Sequence, residues 1–320
     1  MGDLWQRFRL NRFVVLGRVG MDLYADPPGT RIEEATRYVS AIGGSAGNIA
    51  VALARQGAEA ALLSRVSDDA VGRYCVAELQ RYGVETRHVL PIAGGARASL
   101  AVVETRPEDA QTVLYRNGAA DFALTEADVE AVDFSQTAAL VVTGTALARE
   151  PSRSATLLAL RRATAAGVVT VLDIDYRAYS WASRDEAARL CLQAAGAAHV
   201  VVGNDEEFGL LAGSMDRGSG LARDLAHGGL FTVYKRGQLG SVTFQRGQSF
   251  ESGIFPVKAL KPMGAGDGFM GGLLAGLAQG EGLPASVRRG AATAAIIVSG
   301  IGCAPASPDR QALDAFLQQV

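Results

Sequence analysis

Gly264-Ala265-Gly266-Asp267 stands immediately before an apolar run through Phe269, Leu273, Leu274 and Leu277. That spacing reads as a buried helix opened by glycines. The first turn of a helix carries N–H groups without intrahelical partners and the positive end of the dipole. Glycines there let an anion come close. Asp267 is then either a favourable first-turn carboxylate or a base beside an anion hole. The second reading is the arrangement phosphoryl transfer needs: a carboxylate accepts a hydroxyl proton while N–H groups stabilise the transferring charge. A second cluster, Gly43-Gly44-Ser45-Ala46-Gly47-Asn48, precedes a helix containing Ile49 and Leu53. It reads as a turn capped by Ser45, or as backbone pressed against a ligand with Asn48 bonding its hydroxyls.

The elements that must position these residues follow from hydrophobic patterning. Apolar runs at Phe13–Gly17, Ala60–Val66, Leu140–Gly144, Val168–Ile174, His199–Gly203 and Leu230–Lys235 read as strands buried on both faces. Between them Ser45–Gln56, Ala70–Tyr82, Ser152–Ala166, Asp185–Ala195 and Asp205–Leu211 read as helices. The alternation predicts an α/β fold with a doubly wound, mostly parallel sheet. Tyr38–Ile42, Arg97–Glu104 and Gln111–Arg116, the last two flanking the polar loop Thr105–Ala110, break that rhythm. They predict a small β-sheet lid, the alternative being an antiparallel edge of the main sheet. The expected organisation is one unit over 1–320, with the lid at about 23–43 and 95–118 and the core from the remainder.

In such sheets ligands bind beyond the carboxyl ends of the strands. Those ends lead into Arg18 and Asp22, Thr143-Gly144, Asp173 to Arg177, Asn204 and Glu207, and Lys235-Arg236-Gly237. Each alone is an ordinary turn or cap. Together they line one rim with both charges, which suits a polar anionic ligand with a metal.

Several classes are excluded. The 320 residues are 48% hydrophobic and 20% charged, far too apolar for a disordered chain. Net charge is −2, so no basic field draws nucleic acid or an anionic membrane. Glycines and prolines interrupt the charge-free run between Arg289 and Asp309, which reads as a buried helix and a loop rather than a membrane span. Three isolated cysteines, at 75, 191 and 303, and a polar N-terminus suit a reducing cytoplasm. The sequence has no GxxxxGK[ST] or HExxH motif. It also has no GxSxG elbow and no GxGxxG after the first strand, which weighs against a nicotinamide oxidoreductase. His199, at a strand start, reads as structural.

The two glycine motifs, taken together, resemble the paired signatures of the ribokinase/PfkB sugar kinases, over nearly the whole chain. The resemblance implies a ribokinase-like fold and a homodimer formed through the lid. It also implies transfer of the γ-phosphoryl group of ATP, with Mg²⁺, to a hydroxymethyl group of a sugar. Asp267 would be the base, and Gly264, Ala265 and Gly266 the anion hole. Asp22, Gly44 and Asn48 would hold sugar hydroxyls. Asn204 and Glu207 match the NxxE pattern, Asn204 on the ATP side and Glu207 on Mg²⁺ through water. Lys235, Gly237 and Gly240 match the nucleotide-side turn, and Gly302 to Ala306 the C-terminal loop. Further segments resemble the branch that phosphorylates a keto-sugar acid of inositol catabolism, 5-dehydro-2-deoxygluconate, at O6. They are Gly17–Tyr24, Leu114–Asn117, Asp173–Arg177 and Val233–Gly237. That adds Arg18, Tyr115, Arg116, Asp175 and Arg177 to the substrate side, the arginines suiting a carboxylate. The alternatives are 2-keto-3-deoxygluconate, a fructose- or ribose-type substrate, and a non-catalytic ligand sensor. Lys261-Pro262-Met263 departs from the Asp-Thr that the family usually has before GAGD, where the Asp helps hold a monovalent cation. An ammonium cannot ligate K⁺. Either it takes the cation's place, making activity K⁺-independent, or Lys261 points to solvent.

Overall fold

The computed structural model describes residues 2–106 and 108–319; Met1, Val320 and Pro107, which lies in the expected 105–110 loop, are outside it. The strands are β1 Arg12–Leu16, β2 Gly20–Asp26, β3 Arg37–Gly43, β4 Glu59–Ser67, β5 Val89–Ile92, β6 Ser99–Val103 and β7 Thr112–Tyr115. They continue with β8 Ala139–Thr143, β9 Val169–Asp173, β10 Val200–Asn204, β11 Phe231–Lys235, β12 Ser241–Gln245 and β13 Gln248–Ser252. Nine of them form one sheet in the order β13-β12-β11-β10-β9-β8-β1-β4-β5. From β5 through β11 every neighbouring pair is parallel. Side chains alternate between two apolar layers: Val15, Val141 and Val171 on one face, Val14, Val142 and Leu172 on the other. Burial on both faces is why these strands read as continuous apolar runs.

The chain leaves β1 in both directions along the sheet, toward β4 on one side and β8 on the other. The crevice at such a reversal is where doubly wound sheets bind ligands. Arg18 and Gly144 stand at its mouth.

The remaining strands form a separate sheet, β3-β2-β6-β7, antiparallel except for the parallel pair β2/β6. The expectation of a second sheet is met, and an edge extension of the main sheet by these segments is excluded. One of its faces buries Tyr24, Ala41, Ala101 and Val103, with Leu114 and Met263 packed against them. Met263 directly precedes Gly264, so this sheet covers the rim that carries the glycine turn.

Some elements escaped the sequence reading. β2 and β5 were not foreseen, nor the β12–β13 hairpin on the edge beyond β11. That hairpin turns on Arg246 and Gly247, both at positive φ, as a type I′ turn requires. The foreseen buried helix before Asp309 is Leu283–Val298, followed by a loop. Among the described residues no helix is long and apolar enough to cross a membrane.

Candidate active site

The helix Ala265–Ala278 packs between the helices Ser45–Arg55 and Leu283–Val298. Gly264 precedes it at φ 82°, a left-handed conformation that a side chain would strain. A Cβ there would also run into Cys303. The turn needs glycine, and it delivers the free N–H groups of the first helical turn to the crevice.

Asp267 is partly buried in that turn and makes no capping bond to its own helix. Instead Asn48 Nδ2 donates to Asp267 Oδ2 at 2.7 Å. Asp267 therefore stands in the first turn of its own helix and is also bonded across to the helix Ser45–Arg55. Burial pushes the Asp267 carboxyl up to about 6, with Asp175 adding to the rise and Asn48, Arg177 and Arg18 opposing it. A carboxylate so tuned is still ionised at neutral pH and is a better proton acceptor than an ordinary one.

Gly44, at φ 89°, lies against the Arg18 carbonyl and is the N-cap of the helix Ser45–Arg55. Ser45 was foreseen as that cap. It is not: its hydroxyl donates to Asp175 Oδ2 at 2.5 Å. Thr145 donates to the same oxygen at 2.9 Å, and Arg177 pairs with Oδ1 at 3.0 Å. Asp175 is held at φ 38°, a conformation costly for a residue other than glycine. Burial opposes its ionisation, but Arg177, Arg18 and the two hydroxyls outweigh burial and keep the carboxyl low. Asn48 Oδ1, on the amide that bonds Asp267, is buried without a partner among the described residues.

The three candidate arginines have different surroundings. Arg18 is 8% exposed, with Nε buried and unpartnered. Among the described residues it forms no ion pair. Arg116 is already engaged: it pairs with Asp121 at 2.5 Å, donates to Ser180 at 2.6 Å and stacks on Phe122. The structure therefore places it in an internal network, not free in the crevice. Arg177 pairs with Asp175 while its side chain stays 43% exposed at the mouth. Tyr115 is 60% exposed on the edge strand β7 and its hydroxyl makes no hydrogen bond among the described residues, so the structure does not bring it to the others. Asp22 is buried and accepts from Tyr24 Oη at 3.1 Å. Burial raises its carboxyl, against Arg18, Tyr24 and Lys261.

On the other side of the glycine turn, Asn204 and Glu207 form a capping box. Glu207 N–H donates to Asn204 Oδ1 at 2.8 Å, and Asn204 N–H to Glu207 Oε2 at 2.7 Å. Tyr176 N–H donates to Oε1 at 3.1 Å. Both Glu207 oxygens are thus fixed by backbone and retain lone pairs for water. Gly237 has open space beside it, whereas Gly240 is packed on the Ser252 carbonyl. No cluster of three metal-ligating side chains occurs among the described residues. The donors present suit an ion that keeps waters and takes its other ligands from phosphates, as Mg²⁺ does.

The sequence reading set Asp173 on the rim without giving it a role; it is the buried end of β9. Burial drives its carboxyl upward, Lys235 opposes that, and Asp175, Glu207 and Asp267 add to it. Its signal was its place, polar after an apolar strand. Lys261 is 1% exposed, which excludes the solvent-pointing alternative. Its ammonium donates to the carbonyls of Met263 at 2.8 Å and Ile297 at 3.4 Å, with Cys303 Sγ at 3.8 Å. His199 Nδ1 binds Thr170 of the neighbouring strand, as a structural histidine would.

The model of the pfkB family carbohydrate kinases matches residues 10–310. The 5-dehydro-2-deoxygluconokinase of Photobacterium profundum is 38% identical over 311 residues, covering 95% of this chain and 94% of that one. The enzyme of that name from Geobacillus kaustophilus is 34% identical over 317 residues, covering 96% and 93%. A double mutant of the fructokinase of Vibrio cholerae O395, solved with fructose, ADP and potassium, superposes with a TM-score of 0.84 at 27% identity, covering 96% and 98%. With the ribokinase-like architecture and the carboxylate at the glycine-opened helix, these matches show that the chain belongs to the pfkB family of carbohydrate kinases.

Proposed function

We propose that the protein transfers the γ-phosphoryl group of ATP to the O6 hydroxyl of 5-dehydro-2-deoxygluconate. The observation that carries the reading is Asp267, raised to about 6 and bonded to Asn48 at the mouth of the glycine turn. In the reaction the bond between the γ-phosphorus and the β,γ-bridging oxygen breaks as the sugar oxygen bonds to phosphorus. Asp267 takes the hydroxyl proton. The N–H groups of Ala265, Gly266 and Asp267 face the charge on the phosphoryl oxygens. Asp22, Gly44 and Asn48 hold the sugar hydroxyls, and Arg18 is the guanidinium free to meet its carboxylate. Asn204, Lys235, Gly237 and Gly240 form the ATP side, where Glu207 orders water around the metal. Mg²⁺, when bound with ATP, neutralises phosphate charge.

Three finer parts belong to the same reading. Lys261 fills with an ammonium the place of a monovalent cation, so rates in K⁺, Na⁺ and Tris buffers are expected to agree; several-fold K⁺ activation would sink this. The small sheet is a lid, and Tyr38, Val113 and Tyr115, exposed on it, form a homodimer contact. Light scattering on a size-exclusion column is expected to give twice the mass of one chain. Three buried free cysteines support residence in the cytoplasm.

The deciding experiment is ADP release with Mg·ATP and 5-dehydro-2-deoxygluconate, 2-keto-3-deoxygluconate, fructose, ribose and adenosine. Highest kcat/KM for the first acid is expected. Preference for a neutral sugar would keep the kinase and remove the carboxylate role of Arg18.

A further inference from the structure

Where a side chain would stand on Gly266, the space is open but for one atom. An ideal Cβ built on Gly266 would meet a single heavy atom within 4 Å, the Nζ of Lys235, at 3.3 Å. Lys235 ends β11, two strands from Asp173 and in register with Asn204. Its side chain is only partly buried, yet its ammonium makes no hydrogen bond and no ion pair among the described residues. Three donors therefore border an open hollow that the N–H groups of the helix Ala265–Ala278 also face. The rim around that hollow is crowded with acids: Asp173, Asp175, Glu207 and Asp267. A triphosphate entering there meets like charge, and the charge on its end oxygens needs a positive partner fixed in place before the reaction.

We infer that Lys235 is a catalytic residue: its ammonium completes the anion hole at Gly266 and binds the γ-phosphoryl oxygens during transfer. This goes beyond a place on the nucleotide side, because the atom that matters lies at the glycine turn of the base rather than along the nucleoside. It rests on the kinase reading above. Lys235 moves no proton and forms no covalent bond; it offsets charge as the phosphorus passes from the bridging oxygen to the sugar oxygen. The competing role is that of a counter-ion to the buried Asp173. In that role its charge would matter only while Asp173 is there.

The test uses the full chain with Lys235→Met, Lys235→Arg and the double variant Asp173→Asn/Lys235→Met. Turnover with Mg·ATP and the best sugar of the panel is measured, and Mg·ADP affinity by calorimetry. Lys235→Met is expected to lose tenfold or more in kcat, toward the 10²–10³ typical of one missing anion-hole donor. Its Mg·ADP affinity should stay within about threefold, since ADP lacks the γ-phosphoryl group. Lys235→Arg should recover part of the rate, because the positive charge is kept. The double variant should stay as slow as Lys235→Met. A loss under tenfold, an equal loss of Mg·ADP affinity, or recovery of rate in the double variant would each overturn the inference. Retained Mg·ADP binding also certifies that the variant is folded. A wild-type chain that turns over no sugar would instead fault the kinase reading itself.

Discussion

The bond from Asn48 to Asp267 makes the pH profile a direct probe of the site. Asn48 Nδ2–H stabilises only the ionised carboxylate, so losing it must raise the pKa of Asp267. A hydrogen bond to a charged acceptor contributes about 1.5–3 kcal/mol. Asp267 is open enough to the crevice for water to replace part of that. With 1.36 kcal/mol per pKa unit, Asn48→Leu should move the titration by about 1 unit. The wild-type kcat/KM profile for the sugar acid should then fall below pH about 6, and that of the variant below about 7. At pH 6.5 the ionised fraction would drop from about three quarters to about one quarter, whereas above pH 8.5 it would be nearly equal. Asn48 also touches substrate in the proposed site, so the plateau should fall as well; the midpoint separates the two effects. Arg18→Met should shift the midpoint in the same direction, because Arg18 also favours the charged form. An acid limb that stays in place, or moves down, in Asn48→Leu would refute Asp267 as the titrating base.

Asp267→Asn is expected to keep ligand binding and lose at least about 10² in kcat, the general-base range. Its carboxyl is raised in the folded chain, so ionisation at Asp267 costs stability above the folded value and nothing below the unfolded one. The Asn variant should therefore melt higher than wild type at pH 8, by an amount that fades toward pH 3–4, as scanning fluorimetry across pH would register. Arg116→Met breaks the buried pair with Asp121 and should destabilise by about 3–5 kcal/mol in urea titration. Arg18→Met breaks no ion pair or side-chain hydrogen bond among the described residues, so it should destabilise less than Arg116→Met while losing preference for the acid over fructose; equal melting losses in the two variants would contradict this contrast. Lys261→Ala removes the donor to the Met263 and Ile297 carbonyls. It should slow turnover and become activated by K⁺ or NH₄⁺, and a variant with the same rate in all three cations would remove the stand-in role.

What was legible in the sequence was what depends on neighbours along the chain. The Gly264 turn, the apolar helix after it and the first-turn position of Asp267 all lie within fifteen residues, and glycines before an apolar run of helical spacing leave few other structures open. The parallel strands were legible for a similar reason, since burial on both faces writes itself into consecutive residues. The β12–β13 hairpin was not, because arginine at the first turn position hides a type I′ turn that Asn or Asp would have announced. The arginines show the limit most clearly. In sequence Arg18 and Arg116 are equal candidates. In space one has Asp121, Ser180 and the Phe122 ring, and the other has none of them. Pairing turns a guanidinium into structure, and the lack of it at 8% exposure leaves a charge that an anionic ligand must satisfy. Lys235 and Gly266 follow the same logic, far apart in the chain and brought together by the order of the strands and the packing of one helix. Residue types along the rim therefore indicate which charges a ligand could meet, but only the fold decides which of them are still unspent when it arrives.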